Sequence, residues 1–203
     1  LGAKEFGKFS NPEMIIRSVN FSRILDFKFD WDKVAKEMIQ LAQSMEREGA
    51  ELLAISTNTV HKVAPQVQDS IKIPLVHVGT AVGEAVVKSE VKSILLLGTS
   101  ATTQDGFYQQ HLEEKFDLKV EVPGHSDQEI LNNIIFDELC NGEISVSAEM
   151  TMKEIIEKSN HLDGVVLGCT ELQMIISSSI TSMKLFDSLD LHVQAILSQA
   201  MNS

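Results

Sequence analysis

Short apolar runs alternate along this chain with segments in which apolar residues recur every three or four positions. Residues 31–48 carry Val34, Met38, Leu41 and Met45 at steps of four, three and four. That spacing predicts an amphipathic helix, with Gly49 as its stop. Runs at 14–19, 51–56, 74–78, 93–97, 119–122, 164–167 and 184–186 predict strands. Helical patterns cover 105–116, 127–140, 147–159 and 191–200. Pro65 should kink or delay a helix that follows residue 59. The runs ILLLG and GVVLG lack polar alternation, as strands buried on both faces do. Strands alternating with helices predict an α/β fold with mostly parallel sheets.

Residues 51–59 and 163–171 share one plan: a buried strand, a small polar cluster, then a helix start. The key positions, Thr57 and Cys169, lie about half the chain apart. A duplicated Rossmann-like α/β domain would produce this echo. The expected domains are 1–90 with 188–203, and 91–187. Ligands of parallel α/β sheets bind beyond the carboxyl ends of strands, where both polar clusters fall.

Composition then narrows the classes. The 203 residues carry a net charge of −12, which repels phosphate backbones and disfavours nucleic acid as a partner. No apolar run approaches the roughly 20 residues of a membrane helix, so no membrane association is expected. Two cysteines are too few for a disulfide framework or a zinc site, and a reducing cytoplasm is the expected home. No His-Glu-x-x-His, Gly-x-Gly-x-x-Gly or Walker pattern occurs, so no metal and no cofactor are expected. The chain opens at Leu1 without an initiator Met, and an upstream segment is expected.

Cys169 is the best candidate for chemistry. It follows a buried strand and precedes an expected helix start at Thr170-Glu171. Helix N-terminal amides would favour its thiolate as nucleophile or base. Thr57, Asn58 and Thr59 form the second cluster, as helix caps or as donors that grip a carboxylate. Cys140 reads as core packing. His61 and His192 are the histidines placed to face a cleft.

The segments 18–21 (SVNF), 56–64 (STNTVHKVA), 73–77 (IPLVH), 97–99 (LGT) with Thr102, 107–108 (FY), 137–140 (DELC), 168–171 (GCTE) and 185–188 (LFDS) with His192 resemble the cofactor-independent aspartate/glutamate racemase family. The GCTE stretch resembles its aspartate racemase branch, because glutamate racemases usually carry His at the place of Glu171. The resemblance implies two similar α/β domains with the active site in the cleft between them. It also implies a first strand that would lie upstream of Leu1. It implies stereoinversion by two facing acid/base residues, normally both cysteines. Cys169 occupies one of these positions and Thr57 the other. Asn58, Thr59, Thr99, Thr102, Thr170 and Glu171 then fall at substrate-binding positions, with Asn20 and His192 as possible support. Thr80 and Val82 stand where relatives often have Asp and Thr, and Asn141 where many have a basic residue.

The implied function is a PLP-independent amino-acid racemase interconverting L- and D-aspartate or glutamate. A Thr hydroxyl donates a proton but is a very poor base, which predicts a strong preference for one enantiomer; that this is the L enantiomer is what the resemblance implies. The expected partner is a small acidic amino acid, with a homodimer as the assembly. Arg17, Arg23 and Lys62 are candidate holders of the side-chain carboxylate. The rival readings are a related cofactor-free decarboxylase or cis-trans isomerase of small dicarboxylates, and a catalytically silent protein that binds an acidic amino acid.

Overall fold

The computed structural model describes residues 12–20, 22, 24 and 30–202. The chain falls into two compact units. One comprises Leu1–Ser56, Val60–His77 and Val193–Ser203, the other Thr57–Thr59 and Val78–His192. The division differs from the expected 1–90 with 188–203 and 91–187, because residues 57–59, 78–90 and 188–192 cluster with the second unit.

In the first unit, helix α1 (Trp31–Arg47) begins at Asp30, whose side chain accepts from the Lys33 amide. This N-cap satisfies one of the orphan amides of the first turn. Val34, Ala35 and Ala42 are buried on one face of α1. They pack with Leu53, Val60, Val63 and Val67. Strands β1 (Leu53–Ala54) and β2 (Leu75–Val76) pair in parallel. A 3-10 turn at Thr59–Val63 precedes helix α2 (Ala64–Asp69), which has Pro65 in its first positions. Proline lacks the amide that a helix interior needs, so the α-helix starts only where that amide is dispensable. Residues 14–19, expected as a strand, have no strand geometry. Met14 and Ile16 are 72% and 75% exposed. Strand pattern alone does not suffice here: no described strand pairs with the segment, and of its apolar residues only Val19 packs against the core of the unit.

The second unit is built on a parallel sheet of order β4-β3-β5-β6 among the described residues. Its strands are β3 (Ser93–Leu97), β4 (Lys119–Glu121), β5 (Gly164–Leu167) and β6 (Lys184–Asp187). Alternate side chains face opposite layers. Leu95, Leu97, Val165 and Leu167 pack under helices α6 (His125–Asn133) and α7 (Val146–Glu157). Ile94, Leu96, Val166 and Phe186 pack under α3 (Val78–Lys88) and α5 (Phe107–Phe116). Burial on both faces is why these strands read as continuous apolar runs.

Helix α3 escaped the sequence reading. Gly79 and Gly83 each lower helix propensity by about 1 kcal/mol relative to alanine. Packing decides instead: a side chain at Gly83 would collide with the Phe116 ring, so the glycine lets that ring lie on the helix. The expected helix at 105–116 is α5 (Phe107–Phe116), which starts after Gly106, whose φ of 71° no ordinary helical residue adopts; a short helix α4 (Ser100–Thr103), which the pattern did not predict, precedes it. The expected helix at 127–140 ends at Asn133. A π-helical turn (Ile134–Glu138) and a 3-10 turn (Leu139–Asn141) follow, and Cys140 is exposed rather than part of the core. Helix α8 (Ser188–Asn202) closes the described chain.

Gly168 is required by close approach. A Cβ there would lie 2.7 Å from the Leu97 carbonyl oxygen and 3.1 Å from Leu96 Cδ1. The Gly168 amide donates to that same Leu97 carbonyl at 2.7 Å. Backbone cannot swing away as a side chain can. Gly168→Ala is therefore expected to destabilise the protein by about 1–3 kcal/mol, the usual scale of overpacking. A urea midpoint equal to wild type would refute this.

Candidate active site

The site residues sit where two adjacent strands end. Leu97 of β3 pairs with Leu167 of β5, so Gly98-Thr99 and Gly168-Cys169 leave the sheet at one level. Crevices at the carboxyl ends of parallel strands are the ordinary binding places of α/β sheets. The Thr57–Thr59 segment clusters with this unit and is tied to the same strand ends. Thr59 Oγ1 lies 2.9 Å from Thr102 Oγ1, and Thr102 Oγ1 lies 3.2 Å from Thr99 Oγ1. Asn58 Nδ2 donates to Ser188 Oγ at 3.0 Å, and Ser188 Oγ donates to the Leu167 carbonyl at 2.6 Å.

The last pair of bonds fixes an amide. A hydroxyl has one proton, and that of Ser188 is committed to Leu167. Ser188 Oγ therefore accepts from Asn58, which turns the Asn58 nitrogen toward it. The Asn58 oxygen is left buried without a donor, on a residue only 6% exposed. Leaving a buried acceptor unmet costs free energy. The threonine chain has the opposite surplus. Three hydroxyls carry three protons, and the two links among them use two. One O–H is left to donate.

Cys169 is half-buried, and its thiol donates to Glu171 Oε2 at 2.9 Å. Thr170 Oγ1 donates to the same oxygen at 2.8 Å. The expected helix start at Thr170-Glu171 is not there. Those residues form a turn into a three-residue 3-10 segment, Leu172–Met174. So short a segment has few aligned peptide dipoles to stabilise a thiolate. Burial pushes the Cys169 thiol well above the ordinary range, and the Glu171 carboxylate raises it further. The resting group is the thiol, which corrects the expectation of a lowered value. The exposed Cys140 is also raised, by burial of its sulfur first and then by Glu171. Both halves of the internal echo thus take the same form, a parallel strand, a polar loop and a 3-10 turn.

The other expected residues are distributed as follows. Thr57 is half-buried at the head of its segment. His192 is 5% exposed within the second unit. Asn20 is exposed in the first unit and accepts from the Ser22 amide and hydroxyl. Arg17 is paired with Glu48, and the Lys62 ammonium lies 4.5 Å over the Trp31 ring. Phe21 and Arg23 lie outside the described residues. Thr80 holds His111 Nε2 at 3.1 Å and accepts from Lys115 at 3.0 Å. The sequence reading passed over Ser188, although its hydroxyl orients Asn58; its place in the 185–188 segment was the available signal. Among the described residues no group of three His, Cys, Asp or Glu side chains comes together as a metal site, and no helix is long and apolar enough to cross a membrane.

A parallel α/β sheet with a thiol and hydroxyls gathered at its strand ends defines the protein's class: an α/β fold equipped for acid–base or nucleophilic chemistry. Residues 3–196 match the model of the Asp/Glu/hydantoin racemase family, and the chain belongs to that family. A curated relative, the broad specificity amino-acid racemase RacX of Bacillus subtilis, is 24% identical over 181 residues, covering 87% of this chain and 77% of the relative. The crystal structure of an aspartate racemase homologue from Pyrococcus horikoshii is 39% identical with a TM-score of 0.86, covering 98% of this chain and 88% of that one. A candidate Asp/Glu racemase from Yersinia pestis is 31% identical with a TM-score of 0.92, covering 98% and 89%. RacX is named a racemase, and hence an isomerase.

Proposed function

We propose that this protein is a cofactor-free racemase of aspartate or glutamate in which Cys169 removes the Cα proton of the L enantiomer and Thr57 returns a proton to the opposite face. The observation that carries this reading is the convergence of the Cys169 loop and the Thr57–Thr59 segment on the ends of β3, β5 and β6. The surplus threonine proton suits a carboxylate of the substrate.

The chemistry is asymmetric. A thiolate is a competent base, whereas a threonine alkoxide lies far above any accessible pH. Yet the equilibrium constant between enantiomers is one. Detailed balance therefore forces kcat/KM to be equal for the two antipodes. An L preference can show only as compensating differences in kcat and KM, or in isotope exchange. In heavy water the Cys169 face exchanges its proton with solvent, so L-aspartate should take up deuterium at Cα faster than D-aspartate appears. D-aspartate should exchange more slowly than it inverts. Proton NMR of each antipode of Asp and Glu checks this. Binding of L-Asp by calorimetry with no Cα exchange from either antipode would sink the reading in favour of a silent binding protein.

A further inference from the structure

We propose that Gln128 and Asn132, one turn apart on α6, are positioning residues that hold the loop after β3 so that the Thr99 hydroxyl meets the substrate carboxylate. This rests on the racemase reading for its ligand, whereas the hydrogen bonds stand without it. Gln128 Nε2 donates to the Gly98 carbonyl at 2.9 Å, and Gln128 Oε1 accepts from the Thr103 hydroxyl at 2.9 Å. Asn132 Oδ1 accepts from the Ser100 amide at 3.1 Å. Positions four apart share one face of a helix. That face of α6 therefore grips the backbone on either side of Thr99, at Gly98 and at Ser100.

The orientation of the Gln128 amide follows from its partners. A carbonyl only accepts, so the nitrogen must face Gly98, and the oxygen then takes the single proton of Thr103. Gln128 is buried, so both bonds are made away from water, where an unmet partner is costly. Gly98 in turn fits closely against Thr102: a Cβ at Gly98 would lie 3.3 Å from Thr102 Cβ. A shift of Gly98 is thus felt at Thr102.

Asn132 frees the Thr99 hydroxyl. Thr99 is the N-cap of α4, where a threonine ordinarily turns its oxygen back on the amides of the first turn. Thr99 makes no such bond. Asn132 serves the first amide of α4 from another helix, and Thr99 Oγ1 turns to Thr102 Oγ1 instead. Thr102 is buried in the middle of the threonine chain, so its proton goes to Thr59 or to Thr99. The surplus O–H then belongs to one of the two half-buried ends. When Thr102 donates to Thr99, Thr59 donates to Thr102 and the free O–H is that of Thr99. A carboxylate arriving at Thr99 selects this arrangement.

The test compares Asn132→Ala with Asn132→Asp in the full chain, with Gln128→Leu as an independent variant. Aspartate keeps the oxygen that accepts from Ser100, and alanine does not. In Asn132→Ala the KM for L-aspartate should rise about fivefold to tenfold, the scale of one hydrogen bond, with kcat within about twofold of wild type. Asn132→Asp should stay near wild type, and Gln128→Leu should raise KM at least as much as Asn132→Ala. Exchange of the Ser100 amide, followed by NMR in heavy water, should quicken in Asn132→Ala and not in Asn132→Asp. A residue that only supported the fold would lower the urea midpoint without separating KM from kcat. Unchanged Ser100 exchange in Asn132→Ala overturns the grip, whatever the activity. Faster exchange with an unchanged KM overturns the role in binding, as does a loss of kcat at constant KM. Failure of the racemase reading shows differently, as no turnover by the unsubstituted protein. Calorimetric binding of L-aspartate then takes the place of KM, with the same weakening expected, and an equal Kd in Asn132→Ala overturns the proposal. An unsubstituted protein that neither turns over nor binds L-aspartate overturns both.

Discussion

Cys169→Ala will lower kcat for L-aspartate or L-glutamate by roughly 10²–10⁴-fold or more, the usual contribution of a general base. Alanine removes the thiol that takes the Cα proton in the proposed mechanism, and it leaves Glu171 with Thr170 as its remaining donor. The sulfur is half-buried beside the core cluster that includes Leu172 and Ile175. Truncation there costs little packing, so folding should survive. Circular dichroism and a urea midpoint near wild type would separate a chemical loss from a structural one. Deuterium uptake at Cα must fall with turnover, since one group serves both. A variant that still exchanges the Cα proton at the wild-type rate would remove Cys169 from the mechanism.

Thr57→Cys should have the second large effect, as a gain. It would set a thiol on each face of the substrate carbon, and inversion would no longer pass through an alkoxide. We expect kcat/KM to rise at least about tenfold and, by detailed balance, equally for both antipodes. The gain in kcat should be larger for the D enantiomer, whose abstraction in the native protein needs the poor base. The excess of exchange over inversion from L-aspartate should shrink toward that from D-aspartate. Chiral chromatography gives the inversion rates and NMR the exchange. Unchanged rates, with the new thiol shown accessible by alkylation, would mean that position 57 does not face the reacting carbon.

How far the sequence reading reached depended on what each element relies on. Strands β3 and β5 were read with their observed bounds, because a strand buried on both faces must be apolar throughout. Helix α1 was read to within a residue, since its pattern and its glycine stop agree locally. Residues 14–19 misled, since a strand needs a neighbour and a cover that no local pattern guarantees. Helix α3 was missed for the reverse reason. Its glycines argue locally against a helix, and only the Phe116 ring resting on Gly83 explains them.

By itself the sequence determined the α/β class, the strand-end positions of Cys169 and of Thr57–Thr59, and the resemblance that the family match bears out. These are written in apolar periodicity and in residue type, which are local. The tertiary structure decided what surrounds those groups. It replaced an expected helix start after Cys169 by a short 3-10 turn and set Glu171 against the thiol. It also tied Asn58 to Ser188 across 130 positions of chain, leaving one amide oxygen in need of a donor. Protonation and hydrogen bonding depend on the atoms that folding brings together, and distant neighbours leave no mark in a local pattern.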